Sequence, residues 1–172
     1  EIIDLRHDLT YDRRFERNIK KAKESKLAIN LIDPNNEDVI NDVSSLSKEN
    51  AAIKGLTYTY SKSQIMRLLS DESFKLYTIN RSHDLIAARI VYIHNGDSAD
   101  FFSTSGLHAR NIKGSTHLLL DEILKRLKEI GIYTFDFSRV PIGRKGAEGV
   151  CFFKEGLNGE YIIYNGPWLY TM

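Results

Sequence analysis

Apolar residues recur at helical spacing in some stretches of this chain and alternate with polar ones in others, and the change of period divides it into elements. Over residues 12–26, Phe15, Ile19 and Ala22 form a narrow apolar stripe on an otherwise charged helix. Residues 28–32 alternate enough for a short strand, and Asp33, Pro34, Asn35 and Asn36 supply a turn and a helix N-cap. An acidic helix follows to about Lys54, with Val39, Ile40, Val43 and Leu46 inward and Gly55 as its stop. Ser61 with Gln64 three positions on is a capping-box pattern, opening a second helix through about Leu69.

The middle of the chain changes to period two. Residues 74–80, 85–94 and 98–104 are rich in β-branched and aromatic side chains and are separated by short polar turns, so two hairpins joining three antiparallel strands are predicted. A loop over 105–114 leads into a helix over 115–130 with Leu118, Leu119, Ile123, Leu127 and Ile130 on its apolar face, and Gly131 stops it. A strand over 132–138, a loop rich in glycine and basic residues, a short helix near 148–154 and strand-like pieces over 160–170 complete the pattern. There is no internal repeat and no low-complexity tract.

At 172 residues the chain is the length of one compact domain, so 1–172 reads as a single unit with a charged strand and helix segment over 1–26. Lys plus Arg number 24 against 23 Asp plus Glu, so any electrostatic argument about partners must be local. Residues 13–26 supply one, with seven basic residues against Glu16 and Glu24, and Arg139, Arg144 and Lys145 follow the 132–138 strand. Such runs meet phosphates, pack as a domain interface or are simply solvated. Cys151 is the only cysteine, which excludes an internal disulfide and points to a reducing compartment, the cytoplasm. No run reaches the ~20 apolar residues that span a bilayer. The first residue is Glu1 rather than Met, so an upstream partner unit is to be kept in mind. Histidines and carboxylates lack metal-ligand spacing, so no metal is expected.

The tail is the most specific segment. It reads Tyr133-Thr-Phe-Asp-Phe-Ser138, a loop, then Gly149-Val-Cys-Phe-Phe-Lys-Glu-Gly-Leu-Asn-Gly-Glu160. It resembles the Fem family of nonribosomal peptidyl transferases, whose C-terminal acyltransferase unit ends in a similar aspartate strand and a Phe-Lys-x-Gly-Phe-Gly-Gly-Glu element. Arg17-Asn-Ile-Lys-Lys-Ala-Lys23 is similar to the segment that opens such a unit. Leu157 and Asn158 stand where that family usually has Phe and Gly, and Asn tolerates the positive φ a glycine would adopt. The resemblance implies an α/β (α+β), GNAT-like fold: a mixed, mainly antiparallel sheet flanked by helices. The strands over 98–104 and 132–138 would splay apart into a V-shaped cleft.

Acyl transfer to an amine needs hydrogen-bond donors for the oxyanion and a group that takes or orients a proton, and unpaired amides of splayed strands serve as such donors. Asp136 shares one strand face with Thr134 and Ser138; it is a base, an acceptor-orienting group or a structural carboxylate. Lys154 lies beside Phe153; it holds a donor phosphate or ribose or the reacting carbonyl, or else it snorkels along an amphipathic turn. The resemblance favours the donor role, with Phe153 and Gly156 beside it. Thr104, Ser138 and Arg139 are the expected acceptor contacts. Arg110, Gly114 and Ser115 stand where acetyl-CoA-dependent GNAT enzymes carry a pyrophosphate loop, but Arg-Asn-Ile-Lys-Gly-Ser has its glycine one place late, so a turn and an N-cap are the plainer reading.

The expected activity is transfer of an aminoacyl or acyl group to an amine of a cell-envelope precursor of the peptidoglycan type. The resemblance implies aminoacyl-tRNA, engaged at its acceptor end, as co-substrate, with no tightly bound cofactor. An acyl-CoA-dependent N-acyltransferase acting on an amino sugar or amino acid is one alternative. A non-catalytic GNAT-like recognition unit, paired with a second acyltransferase unit or another copy of itself, is the other.

Overall fold

A computed structural model describes residues 1–138 and 148–162. Its centre is a six-stranded sheet of β1 (Ile2–Asp4), β2 (Ala28–Leu31), β3 (Phe74–Arg81), β4 (Asp84–His94), β5 (Asp97–Ser105) and β6 (Thr134–Asp136), in the spatial order β1-β6-β5-β4-β3-β2. Every neighbouring pair is antiparallel except β5 with β6. The parallel step follows from the crossover, because α5 (Ser115–Glu129) carries the chain from the end of β5 back to the start of β6.

The sheet buries both faces. Helix α1 (Arg13–Lys23) and α5 cover one, where Phe15, Ile19, Leu119, Ile123 and Leu127 pack on Tyr77 and Ile79 of β3. Helices α2 (Glu37–Lys54) and α3 (Lys62–Leu69) cover the other, placing Ile40, Val43, Ile65 and Leu69 against Leu76 and Ile90. Alternate β3 side chains therefore serve opposite cores, as the two-residue period of a strand requires.

Local signals set the element ends. Asp12 caps α1 by accepting from the Phe15 N–H, and Asn36 caps α2 by accepting from the Val39 N–H. The Ser61 and Gln64 capping box is formed in both directions. Gly55 and Gly131 turn the chain at φ 62° and 80°. Three expectations change. Residues 105–114 contain a short helix, α4 (Leu107–Asn111), rather than only loop. Ile130 is 65% exposed rather than inward, because it caps α5 and the turn at Gly131 gives the core position to Ile132. The strand over 132–138 is regular only in β6, where β1 joins it along its outer edge, and Ile2 in turn exchanges backbone hydrogen bonds with Glu160. Helix α6 (Glu148–Glu155) closes the fold near the end of β6, and residues 163–170 of the expected C-terminal strands lie outside the described residues.

Candidate active site

Strands β5 and β6 separate after three paired residues. Asp97, Ser98 and Ala99 pair with Thr134, Phe135 and Asp136, while β5 continues along β4 to Ser105. At the parting point the Ser138 hydroxyl donates to the Asp100 carbonyl at 2.8 Å, replacing the next strand contact, and Ser138 sits at φ 58°. A register shift between Ile90 and Val91 leaves Phe101 as the extra residue of β5 at the same level. Beyond it, residues 101–105 pair with no strand on their β6 side among the described residues, and Ser103, Thr104 and Ser105 line a cavity of about 820 Å³. Ala88 and Arg89 of β4, Thr104 of β5, Thr116 of α5, Phe137, and Lys154 of α6 are among its walls.

Two cations and one carboxylate meet at the apex of this V. Arg89 and Asp100 form an ion pair of 2.7 Å, with side chains only 6% and 12% exposed. The Arg89 guanidinium lies 5.2 Å from the centre of the Phe137 ring, and the Lys154 ammonium lies 4.6 Å from the same ring. Lys154 Nζ also donates to the Phe137 carbonyl, tying α6 to the residue where β6 ends. Burial holds the Lys154 ammonium below the usual lysine range, against the opposing pull of Asp100 and Glu1. Asp100 Oδ1 and Arg89 Nε, both buried, have no hydrogen-bond partner among the described residues. Sequence reasoning passed over this pair, although a lone arginine within the apolar run Ile86-Ala-Ala-Arg-Ile-Val91 was its signal.

The residues expected from sequence separate into groups. Lys154, Phe153 and Thr104 line the cavity, with the Thr104 hydroxyl donating to the Leu46 carbonyl at 3.3 Å. Asp136 is not among the lining residues: Phe135 and Phe137 take the core face of β6, and the Asp136 carboxylate accepts from the Ser138 N–H at 2.8 Å. Ser138 is exposed at the bend, and Arg139 lies outside the described residues, as do Arg144 and Lys145. Gly156 anchors α6 to α1: its carbonyl accepts from the Asp12 N–H, and a Cβ there would come within 3.0 Å of the Phe15 ring. Leu157 is buried, and Asn158 adopts φ 52°.

Arg110 is exposed on α4, close enough to Lys54 at the cavity wall to help hold that ammonium down, after desolvation. Gly114, not Ser115, is the N-cap of α5; Ser115 is its first residue and is buried. Gly114 has φ 86°, and a Cβ on it would fall 2.0 Å from the Asn18 carbonyl oxygen, so α1 packs directly on the start of α5. On the other side of this turn Thr116 lines the cavity. His117 lies in the same contact, its Nε2 3.1 Å from Asn18 Nδ2 and its ring against Phe15 and Phe153. Burial pushes its pKa down to about 4. Among the described residues no group of His, Cys, Asp and Glu forms a metal site, and no helix is long and apolar enough to cross a membrane.

No protein-family profile and no curated protein sequence matches the chain. Solved structures do. FemX superposes with a TM-score of 0.74 at 12% identity, over 91% of this chain and 57% of FemX. The C-terminal domain of a putative lysylphosphatidylglycerol synthetase from Agrobacterium fabrum gives 0.67 at 13% identity, over 90% of this chain and 50% of the other. An aminoglycoside acetyltransferase from an uncultured soil metagenomic sample, in complex with sisomicin, gives 0.66 at 11% identity, over 87% and 98%. This chain thus spans about half the length of the first two and nearly the whole of the third. The likeness is one of fold: a FemX-like, GNAT-type fold with a six-stranded, mainly antiparallel sheet flanked by helices.

Proposed function

We propose that this chain is an acyltransferase domain that passes an aminoacyl group from the 3′ end of a tRNA to an amine, the acceptor being a cell-envelope precursor of the peptidoglycan type. The observation that carries this reading is the V between β5 and β6 with Lys154 buried at its apex. The acceptor amine attacks the ester carbonyl of the donor, a C–N bond forms, and the ester C–O bond then breaks. One amine proton leaves, and the released ribose oxygen gains one. Lys154, with the unpaired edge of residues 101–105, stabilises the negative charge on the carbonyl oxygen. Phe153 shapes the donor wall and Thr104 belongs to the acceptor side, while Gly156 seats α6 on α1 and Ser138 holds the bend. Asp136 is a positioning residue that holds the Ser138 bend through its hydrogen bond.

The alternative donor, acyl-CoA, draws support from the acetyltransferase whose whole length this fold matches. The run Arg110-Asn-Ile-Lys-Gly-Ser115, with its glycine one place late, argues the other way, because a CoA pyrophosphate needs close backbone approach at that helix start. Calorimetry with 3′-alanylamino-3′-deoxyadenosine, a hydrolysis-resistant acceptor-end mimic, tests the choice against acetyl-CoA. The mimic is expected to bind in preference, and Lys154→Ala to weaken it by about ten-fold or more. Preferential acetyl-CoA binding would move the assignment to an N-acyltransferase. Binding of neither would favour a recognition unit.

A further inference from the structure

Resting on that reading of the donor, we propose that the outward face of α1 is an RNA-binding surface that takes the phosphate backbone of the donor's acceptor stem. Residues 13–26 carry seven basic and two acidic side chains, a net charge of +5, against −4 for the rest of a chain whose total is +1. Arg13, Arg17, Lys20, Lys21, Lys23 and Lys26 are all exposed, and none is in an ion pair among the described residues. Lys113, also exposed, continues the surface beside Gly114, where Asn18 of α1 meets α5. Arg13, Arg17 and Lys20–Lys21 recur about once per turn, which spaces cations roughly 5 Å apart along one face.

The first turn of α1 packs on a wall of the cleft. Phe153 lines the cavity and packs on Phe15 of α1, and the neighbouring Arg14 lies 5.1 Å from the centre of the Phe152 ring. The proposed path of a polyanion whose end enters the V runs over that wall to the outer face of α1. An anionic membrane is the weaker partner for this face. Phe15, Ile19 and Ala22, the apolar stripe that could enter a bilayer, are already buried in the core.

The test is fluorescence anisotropy of an acceptor-stem RNA hairpin ending in single-stranded CCA, titrated with the whole chain at several salt concentrations. Contact with about four phosphates predicts a slope of log affinity against log salt near −3.6. The triple variant Arg17→Gln/Lys20→Gln/Lys21→Gln should lose about 2.7 of that slope and bind at least about ten-fold more weakly at 0.1 M salt. Arg81→Gln, in the β3–β4 hairpin, should match the unaltered chain, and the triple variant should still bind 3′-alanylamino-3′-deoxyadenosine normally. Undiminished hairpin binding by the triple variant would put the RNA elsewhere and overturn this inference while leaving the donor assignment intact. Failure of the hairpin alone would overturn it too, and failure of hairpin and small mimic together would take the donor assignment with it. Binding to phosphatidylglycerol vesicles with the same loss in the triple variant, and none to the hairpin, would make the face a membrane surface instead.

Discussion

His117 couples the packing of three elements to pH. Its ring lies between Phe15 of α1 and Phe153 of α6, Asn18 contacts its Nε2, and its own backbone belongs to α5. Burial, with a smaller push from Arg14 against the pull of Asp12, lowers its pKa from 6.5 to about 4. The folded state therefore holds this proton less tightly than the unfolded chain does. The associated stability is fully present above pH 6.5 and is lost as the pH falls from there through about 4. Urea unfolding of the unaltered chain and of His117→Gln should show a stability difference that shrinks over that interval. A difference independent of pH would remove His117 as the titrating group. Nothing in the spacing of five histidines marked His117 as the buried one, because its burial depends on contacts with Phe15 and Phe153, about a hundred and about thirty-six positions away respectively.

At the scale of elements, the Arg89–Asp100 pair joins β4 to β5 where their register shifts and where β6 leaves the sheet. Removing one partner strands the other charge in a buried site. Asp100→Leu should therefore cost about 3–5 kcal/mol, whereas Arg89→Met with Asp100→Leu should cost less than that single change. Denaturant unfolding of the four proteins of this double-mutant cycle checks both statements, and strictly additive losses would show that the two side chains do not act together. The pair also marks the limit of sequence reading. Capping residues, hairpin turns and helix stops were legible because each depends on a few adjacent residues, as at Ser61, Gly55 and Gly131. The register shift at Ile90, the three-residue β1 and the position of Asp136 outside the cavity depend on which strands lie side by side. Lys154 was found from its motif, but its contact with the Phe137 carbonyl needed the fold.

Across the whole molecule, α5 and α6 build one side of the cleft and β4 and β5 the other, with α1 packed behind Phe153. The packing of α1 on the start of α5 sets the basic outer face of α1 beside a helix whose Thr116 lines the cleft. The measurement that tests this most directly is NMR titration of the isotope-labelled chain with 3′-alanylamino-3′-deoxyadenosine and, separately, acetyl-CoA. The account predicts that the mimic shifts the amides of residues 101–105, Phe137 and Lys154, and that acetyl-CoA leaves Gly114, Ser115 and Thr116 unmoved. Saturable acetyl-CoA shifts at those three residues, with none from the mimic in the V, would contradict it.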